Sequence, residues 1–235
     1  MFRRKYGEAI ENLLEMELME NVVAILYLKY SGVIVRTLNQ VFAFDLADML
    51  SKSDIEALTR LDAYLITHGH YDHYSREHTK LIHNRTNAYV IAEPSVAADL
   101  RGAIPSEKLI SARPGETFDL KEFKVTSIEG LHRGPIVLYL VEGKDLTIFH
   151  GGDSAYVPLE NYKADLALVP TGSPSPTASP RDAFKMVSAL KVKAAASFHG
   201  TTSQHNEFIN LVKNNIPSID VYALREGEIL KVSIK

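Results

Sequence analysis

The seven residues Thr67–His73, THGHYDH, hold three of the nine histidines of a 235-residue chain, with an aspartate among them. In an extended segment His68 and His70 project to the same side, so two imidazoles can share one cation. Asp72 and His73 follow a turn of the chain and can face a neighbouring cation. Neutral imidazole and carboxylate suit zinc, and also iron or manganese. Gly69 is expected to let the backbone turn tightly between the ligands. The competing account is a polar loop with incidental histidines. Spacing this dense, straight after the buried-type strand DAYLI, favours the metal.

Four protein ligands are too few for two ions, so others must come from elsewhere. His132 in IEGLHRGP, Asp153 in FHGGDSAY and His199 in AASFHGTT each follow a strand-like run. Taken singly they could be a turn residue, a cap and a satisfied strand-end histidine. Together they are metal-competent residues at strand ends, where a layered fold assembles one site.

The elements that must position them can be read from periodicity. Ile10, Leu13, Leu14 and Leu18 fall at helical spacing and predict an amphipathic helix over the first twenty residues. VVAILYLKY (22–30), GVIVR (32–36) and VFAFD (41–45) read as strands, antiparallel because their connections are short. DAYLI (62–66) delivers the chain into the histidine cluster, and helix, strand and helix follow at REHTKLIH, AYVIA and EPSVAADLRG. The second half repeats the theme. Strands are expected at 123–129, 136–142, 145–150, 165–170 and 194–198, with helices near 180–190 and 204–215. VYAL and EILKVSI finish the sheets. The Pro/Ser-rich TGSPSPTASP (171–180) reads as a loop between strand and helix. This pattern predicts an α/β (α+β) chain in one domain, 1–235, with two sheets face to face and helices outside.

Bulk properties narrow the chemistry. The absence of cysteine excludes disulfides, thiolate ligands and a cysteine nucleophile. A net charge of −3 gives no electrostatic footprint for nucleic acid, which is therefore disfavoured as a partner. Glutamates break up the basic N-terminus before a signal-type apolar region forms, and no run is long enough to span a bilayer. A cytoplasmic location with no membrane partner is the expectation.

THGHYDH is the signature of the metallo-β-lactamase superfamily. GGDS, DLALVPTG and SFHG match later motifs of that family in order, across nearly the whole chain. The chain resembles most its small stand-alone metal-dependent hydrolases, the ascorbate-6-phosphate lactonase-like group. That resemblance implies a four-layer αββα sandwich and two divalent metal ions, zinc first, with Mn2+ or Fe2+ as alternatives. It implies His68, His70 and His132 on one ion, Asp72, His73 and His199 on the other, and Asp153 bridging them. Asp45 matches the family's first-motif aspartate, which supports the site from behind its ligands. Relatives often follow the last histidine with tyrosine, where this chain has Gly200, and the stretch SPSPTASP also departs from theirs.

The function so implied is hydrolysis of a small ester, lactone or phosphoester by hydroxide held on a dinuclear metal centre, with Asp72 orienting that hydroxide and passing on its proton. An anionic small-molecule substrate would want a positive anchor. Arg133 and Arg181 are candidates, and Tyr71 and Tyr74 could line the pocket. Ser154 is read as structural, because the chemistry needs no serine nucleophile. His150 is a candidate for supporting the bridging aspartate, while His78 and His83, on a helix, are expected at the surface or behind the ligands, and His205, near a helix start, at the surface or as a cap. The alternative is a nuclease or phosphodiesterase of the same superfamily acting on RNA or DNA. A di-iron redox protein is disfavoured because His70 is retained where that subgroup has glutamate. A non-catalytic binding protein is disfavoured because the ligand set is complete. The oligomeric state is open.

Overall fold

The computed structural model describes residues 5–173 and 177–235, and the chain divides into two compact units, Met1–Arg113 with Arg225–Ser233 and Pro114–Leu224 with Ile234–Lys235. The loop expected at 171–180 lies partly outside the described residues. Among the described residues, no helix is long and apolar enough to cross a membrane.

The first unit is a seven-stranded mixed sheet in the order β14-β1-β2-β3-β4-β5-β6. Its strands are β1 (Val22–Lys29), β2 (Gly32–Arg36), β3 (Val41–Phe44), β4 (Ala63–Ile66), β5 (Tyr89–Ala92), β6 (Leu109–Ser111) and β14 (Ile229–Ser233). Strands β1 to β3 pair antiparallel through short hairpins, β14 joins β1 antiparallel from the far end of the chain, and β3 to β6 pair parallel through helical crossovers. The helices are α1 (Gly7–Glu15), α2 (Lys52–Ala57), α3 (Arg76–Thr86) and α4 (Pro94–Leu100). Alternate residues of the sheet (Leu26, Ile34, Ala43, Tyr64 and Val90 among them) pack in one cluster with Ile10 and Leu13 of α1, Ile55 of α2, Ile82 of α3 and Leu100 of α4. The intervening set, including Ile25, Val35, Phe42, Leu65 and Ile91, is equally buried, which is why these strands read as continuous apolar runs.

The second unit mirrors this with the order β13-β12-β11-β10-β9-β8-β7. Its strands are β7 (Thr117–Asp119), β8 (Lys124–Glu129), β9 (Val137–Glu142), β10 (Thr147–His150), β11 (Leu166–Pro170), β12 (Ala194–Phe198) and β13 (Asp220–Ala223). Strands β7 to β10 are antiparallel and β10 to β13 parallel. Helices α5 (Pro180–Leu190) and α6 (Thr202–Asn215) supply Met186, Val187, Leu190, Phe208 and Val212 to a core with Leu138, Phe149, Val169 and Ala195. Ser179 caps α5 by accepting from the Asp182 N–H, with Pro180 in the first turn, as the sequence predicts.

Three differences from the sequence reading have local causes. The first helix stops at Glu15, and Met16 turns extended (φ −57°, ψ 130°) to enter β1. Its freed carbonyls are taken by Arg36 of β2, whose Nη1 donates to Leu13 O at 2.7 Å and also to Met16 O, a cation at the negative end of the helix. Leu18 is buried, so it met the helical pattern from outside the helix. The short α2 was not anticipated, although Ser51 and Asp54 form a full capping box there. The three-residue strands β6 and β7 carry too little pattern to be seen.

Candidate metal centre

In the first unit, β3 and β4 are parallel neighbours, and Asp45 follows the first directly as Thr67 follows the second. Asp45 adopts a left-handed backbone (φ 46°), which aims its fully buried carboxylate across at the next strand end. That carboxylate accepts three hydrogen bonds: Thr67 N–H at 2.8 Å, Thr67 Oγ1–H at 2.7 Å and His73 Nδ1–H at 3.1 Å.

These bonds decide where the imidazole lone pairs point. Thr67 Oγ1 has given its proton to Asp45, so at 3.0 Å it accepts from His68 Nδ1–H. The His68 Nε2 lone pair therefore faces His70 Nδ1, 3.0 Å away. His73 likewise donates through Nδ1, leaving its Nε2 lone pair towards Asp72 Oδ2 at 3.7 Å. A lone pair directed at a carboxylate oxygen is repulsive unless a cation or proton lies between them. Two ligand atoms on one ion, with bonds near 2.0–2.1 Å, stand about 3.3 Å apart at the tetrahedral angle. The separations in this unit bracket that value, so the donor set fits divalent metal. Asp45, His68 and His73 also group within 4.8 Å of one another, yet the Asp45 carboxylate is spent on hydrogen bonds and acts as the buttress of the cluster.

The second unit carries His132, Asp153 and His199. Strand β10 ends at His150, and the GGDS turn follows with Gly152 at φ 49°. Buried His150 accepts the Gly152 N–H at Nδ1 (3.2 Å) and stacks on Phe198 at 5.1 Å, so it braces the turn that presents Asp153. The fully buried Ser154 ties this turn to the one bearing His132. Its Oγ accepts Leu131 N–H at 2.9 Å and donates to Ala155 O at 2.6 Å, while Ala155 N–H donates to Leu131 O at 2.8 Å. Ser154 is engaged on both sides in holding backbone.

His199 follows β12 directly, with a left-handed backbone (φ 45°). Its Nε2 lies 3.2 Å from Oδ2 of the buried Asp153, again a metal-ligand spacing. Two glycines let the chain run beneath it. A Cβ on Gly172 would stand 2.2 Å from His199 O, and one on Gly200 would stand 2.2 Å from Thr171 Oγ1. Gly200, where relatives often have tyrosine, is thus a residue with no room for a side chain.

Several residues that sequence reasoning overlooked or misplaced belong to this scaffold. His205 is no surface residue: its Nδ1 lies 2.9 Å from Ser197 Oγ and 3.1 Å from Thr171 Oγ1, under the turn that carries His199. Burial pushes its pKa below the usual histidine value, with the Gly200 backbone opposing and His199 adding to the shift. His83 is buried, bonded at 2.9 Å to Ala88 O, and His78 makes a 3.2 Å contact with the Ser75 cap. Gly69 does not turn tightly: its backbone is outside the left-handed region, and an added Cβ would meet only Val96 Cγ2 at 3.4 Å. Tyr71 stands 84% exposed, and Arg133 is exposed in its turn. Tyr74 donates to Asp99 at 2.5 Å, so it serves packing, and burial with that carboxylate pushes its phenol up. Arg181 is a solvated charge 4.0 Å from Glu207.

Comparison with known proteins agrees with this architecture. Residues 41–200 match the family described as "Beta-lactamase superfamily domain". A UPF0173 metal-dependent hydrolase of Caldivirga maquilingensis is 30% identical over 192 residues, covering 76% of this chain and 83% of its own. One from Myxococcus xanthus is 30% identical over 161 residues, covering 59% of this chain and 55% of its own. Among solved structures, Igni18, described as a novel metallo hydrolase from Ignicoccus hospitalis, superposes with a TM-score of 0.73 at 20% identity, covering 91% of this chain and all 100% of its own. The metallo-beta-lactamase fold protein YhfI from Bacillus subtilis gives 0.69 at 12% identity, covering 90% and 99%. At such identities the structural likeness shows the fold alone. With the family match spanning most of its length, the chain belongs to the metallo-β-lactamase superfamily.

Proposed function

We propose that the protein is a metal-dependent hydrolase of a small ester, lactone or phosphoester. His68, His70, Asp72, His73, His132, Asp153 and His199 would be the ligands of two divalent ions, zinc first and manganese or iron as alternatives. The observation that carries this reading is the set of ligand-type atoms aimed at one another at 3.0–3.7 Å, with tautomers fixed by Asp45 and Thr67. Such ions would supply Lewis acidity and acidify a water molecule towards neutral pH. Asp72, partly exposed beside His73, is the carboxylate available to orient that water and take its proton. Asp45 keeps His73 in the donating-through-Nδ1 tautomer, and Ser154 holds the His132 and Asp153 turns together. The names of the curated relatives support hydrolysis, and the acidic net charge favours a small molecule over nucleic acid.

The test is metal analysis of protein purified without chelators, coupled to hydrolysis of generic aryl esters and a phosphodiester. About two divalent ions per chain are expected, with activity lost on chelation and restored by metal. Asp153→Ala and His70→Ala should lose both metal and activity. Full activity in metal-free protein overturns the reading, and cleavage of RNA or single-stranded DNA in preference to small esters replaces it with the nuclease alternative.

A further inference from the structure

The first unit holds a cavity of about 320 Å³ that runs from Asp72 to the β1–β2 hairpin. Its volume sits at the small end of those that hold ligands. Tyr6, Tyr30 and Tyr71 give it flat aromatic walls, Met49 adds a flexible apolar side chain, and Lys29 and Asp48 bring charge to it. Lys5 also lines it, but its ammonium is held by Glu226 at 2.6 Å. Lys29 differs in part: its Nζ lies 4.6 Å over the Tyr30 ring, and its charge also acts on Glu226, but among the described residues it makes no close ion pair. A cation resting on an aromatic face keeps its donors available to an anion.

The walls are held under backbone strain. Tyr30 (φ 51°) and Ala47 (φ 44°) both adopt the left-handed conformation that bulky or β-carbon-bearing residues avoid. Tyr27 Oη–H donates to Tyr30 O at 3.0 Å, fixing the hairpin. Ala47 N–H donates to His73 O at 3.3 Å, which couples the cavity wall to the histidine cluster.

We propose that this cavity is the subsite for the non-reacting end of the substrate, an end that carries a carboxylate or phosphate for Lys29 and a neighbouring hydroxyl or amide donor for Asp48. The proposal rests on the hydrolase reading, because Asp72 is among the residues that line the cavity. The reacting bond would then lie beside the histidine cluster, and the tyrosines would flank the intervening atoms. Such a substrate is a small anionic ester, lactone or phosphoester, anchored by a lysine point charge in place of an arginine fork.

The experiment compares matched probes, mono-p-nitrophenyl glutarate and neutral p-nitrophenyl butyrate, on the metal-loaded protein. The wild type should prefer the anionic probe, and Lys29→Met should reduce that preference about tenfold, mainly through KM. An unchanged ratio overturns the subsite. If neither probe is hydrolysed, the hydrolase reading is at fault and the subsite is still decided by binding. With 11 tyrosines and no tryptophan, tyrosine fluorescence reports titration of the metal-free protein with glutarate in one arm and inorganic phosphate in the other. Binding of either anion by the wild type, weakened about tenfold in Lys29→Met, supports the subsite and tells carboxylate from phosphate. No binding in either arm, or equal binding by the two proteins, overturns it.

Discussion

Gly172→Ala should damage the metal centre without touching a ligand. The added Cβ would stand 2.2 Å from His199 O, 2.9 Å from His199 Nδ1 and 3.2 Å from His199 C. Relieving the shortest contact to ordinary van der Waals range requires the two backbone segments to part by about 1 Å. His199 is poorly placed to yield: its backbone is already left-handed at φ 45°, and the next residue, Gly200, lies against Thr171. Neither can Gly172, because β11 and β12 are locked in register up to Pro170↔Phe198, two residues before Gly172 and one before His199. Overpacking of this kind costs about 1–3 kcal/mol of stability. Its effect on function should be larger, since a displacement of about 1 Å in a reacting group can cost about 100-fold in rate. The His199 Nε2–Asp153 Oδ2 spacing of 3.2 Å would be the casualty. The assay is a competitive zinc titration with a chromogenic chelator, alongside kcat/KM on an aryl ester and a thermal melt. Gly69→Ala is the matched control, inside the histidine cluster but with its added Cβ no closer than 3.4 Å to anything. Zinc affinity and kcat/KM within about twofold of wild type in Gly172→Ala would refute the reasoning, as would equal damage from Gly69→Ala.

Three further outcomes follow from the scaffold. Asp45→Asn keeps the shape and tolerates the left-handed backbone, so it isolates the charge; zinc affinity should fall about 10–100-fold, and an unchanged chelator competition would remove Asp45 from its buttressing role. Ser154→Ala leaves Leu131 N–H without its acceptor and should cost about 1–3 kcal/mol in urea unfolding while hydrolysis persists. Abolished turnover with full metal content would instead make Ser154 a nucleophile. His205 is held below its unfolded pKa, so the unfolded chain binds the extra proton and the contribution is complete above about pH 6.5 and lost as pH falls towards the folded value. In metal-free protein, His205→Gln should therefore flatten the fall in stability between pH 7.5 and 5.5, seen as a smaller shift in urea midpoint than wild type shows.

What could be read from the sequence is what neighbouring residues encode together. The central strands of both sheets carry apolar runs because both of their faces are buried, and β2 is placed to the residue. His68, His70, Asp72 and His73 are legible because a single loop supplies them. Asp45 was reached through resemblance alone, since its partners Thr67 and His73 lie 22 and 28 residues away across a parallel strand pair. Gly69 drew the sequence reading and Gly172 drew none, for the same reason. Gly69 stands amid the ligands yet meets nothing, whereas Gly172 meets His199 from the adjacent strand end, 27 residues away in the chain. His205 hid in a helix whose amphipathic pattern is weak, and only the register of β11 with β12 brings Ser197 and Thr171 to it. Helix α1 was read too long because Leu18 keeps the apolar rhythm after the backbone has turned extended.

The outer edge of β1 is covered by β14, with Val22 opposite Ser233 and Leu26 opposite Ile229. The first unit is therefore discontinuous in the chain, and its sheet stays open on one side until about 200 further residues have been made. At ribosomal rates of about 5–20 residues per second, that interval is roughly 10–40 s. Throughout it, the run VVAIL exposes unpaired backbone and apolar side chains of the sort that recruit other strands. The hazard of this topology is kinetic, and it falls on the nascent chain: a lesion in residues 229–233 would be felt as aggregation during synthesis before it registered as a lower melting temperature.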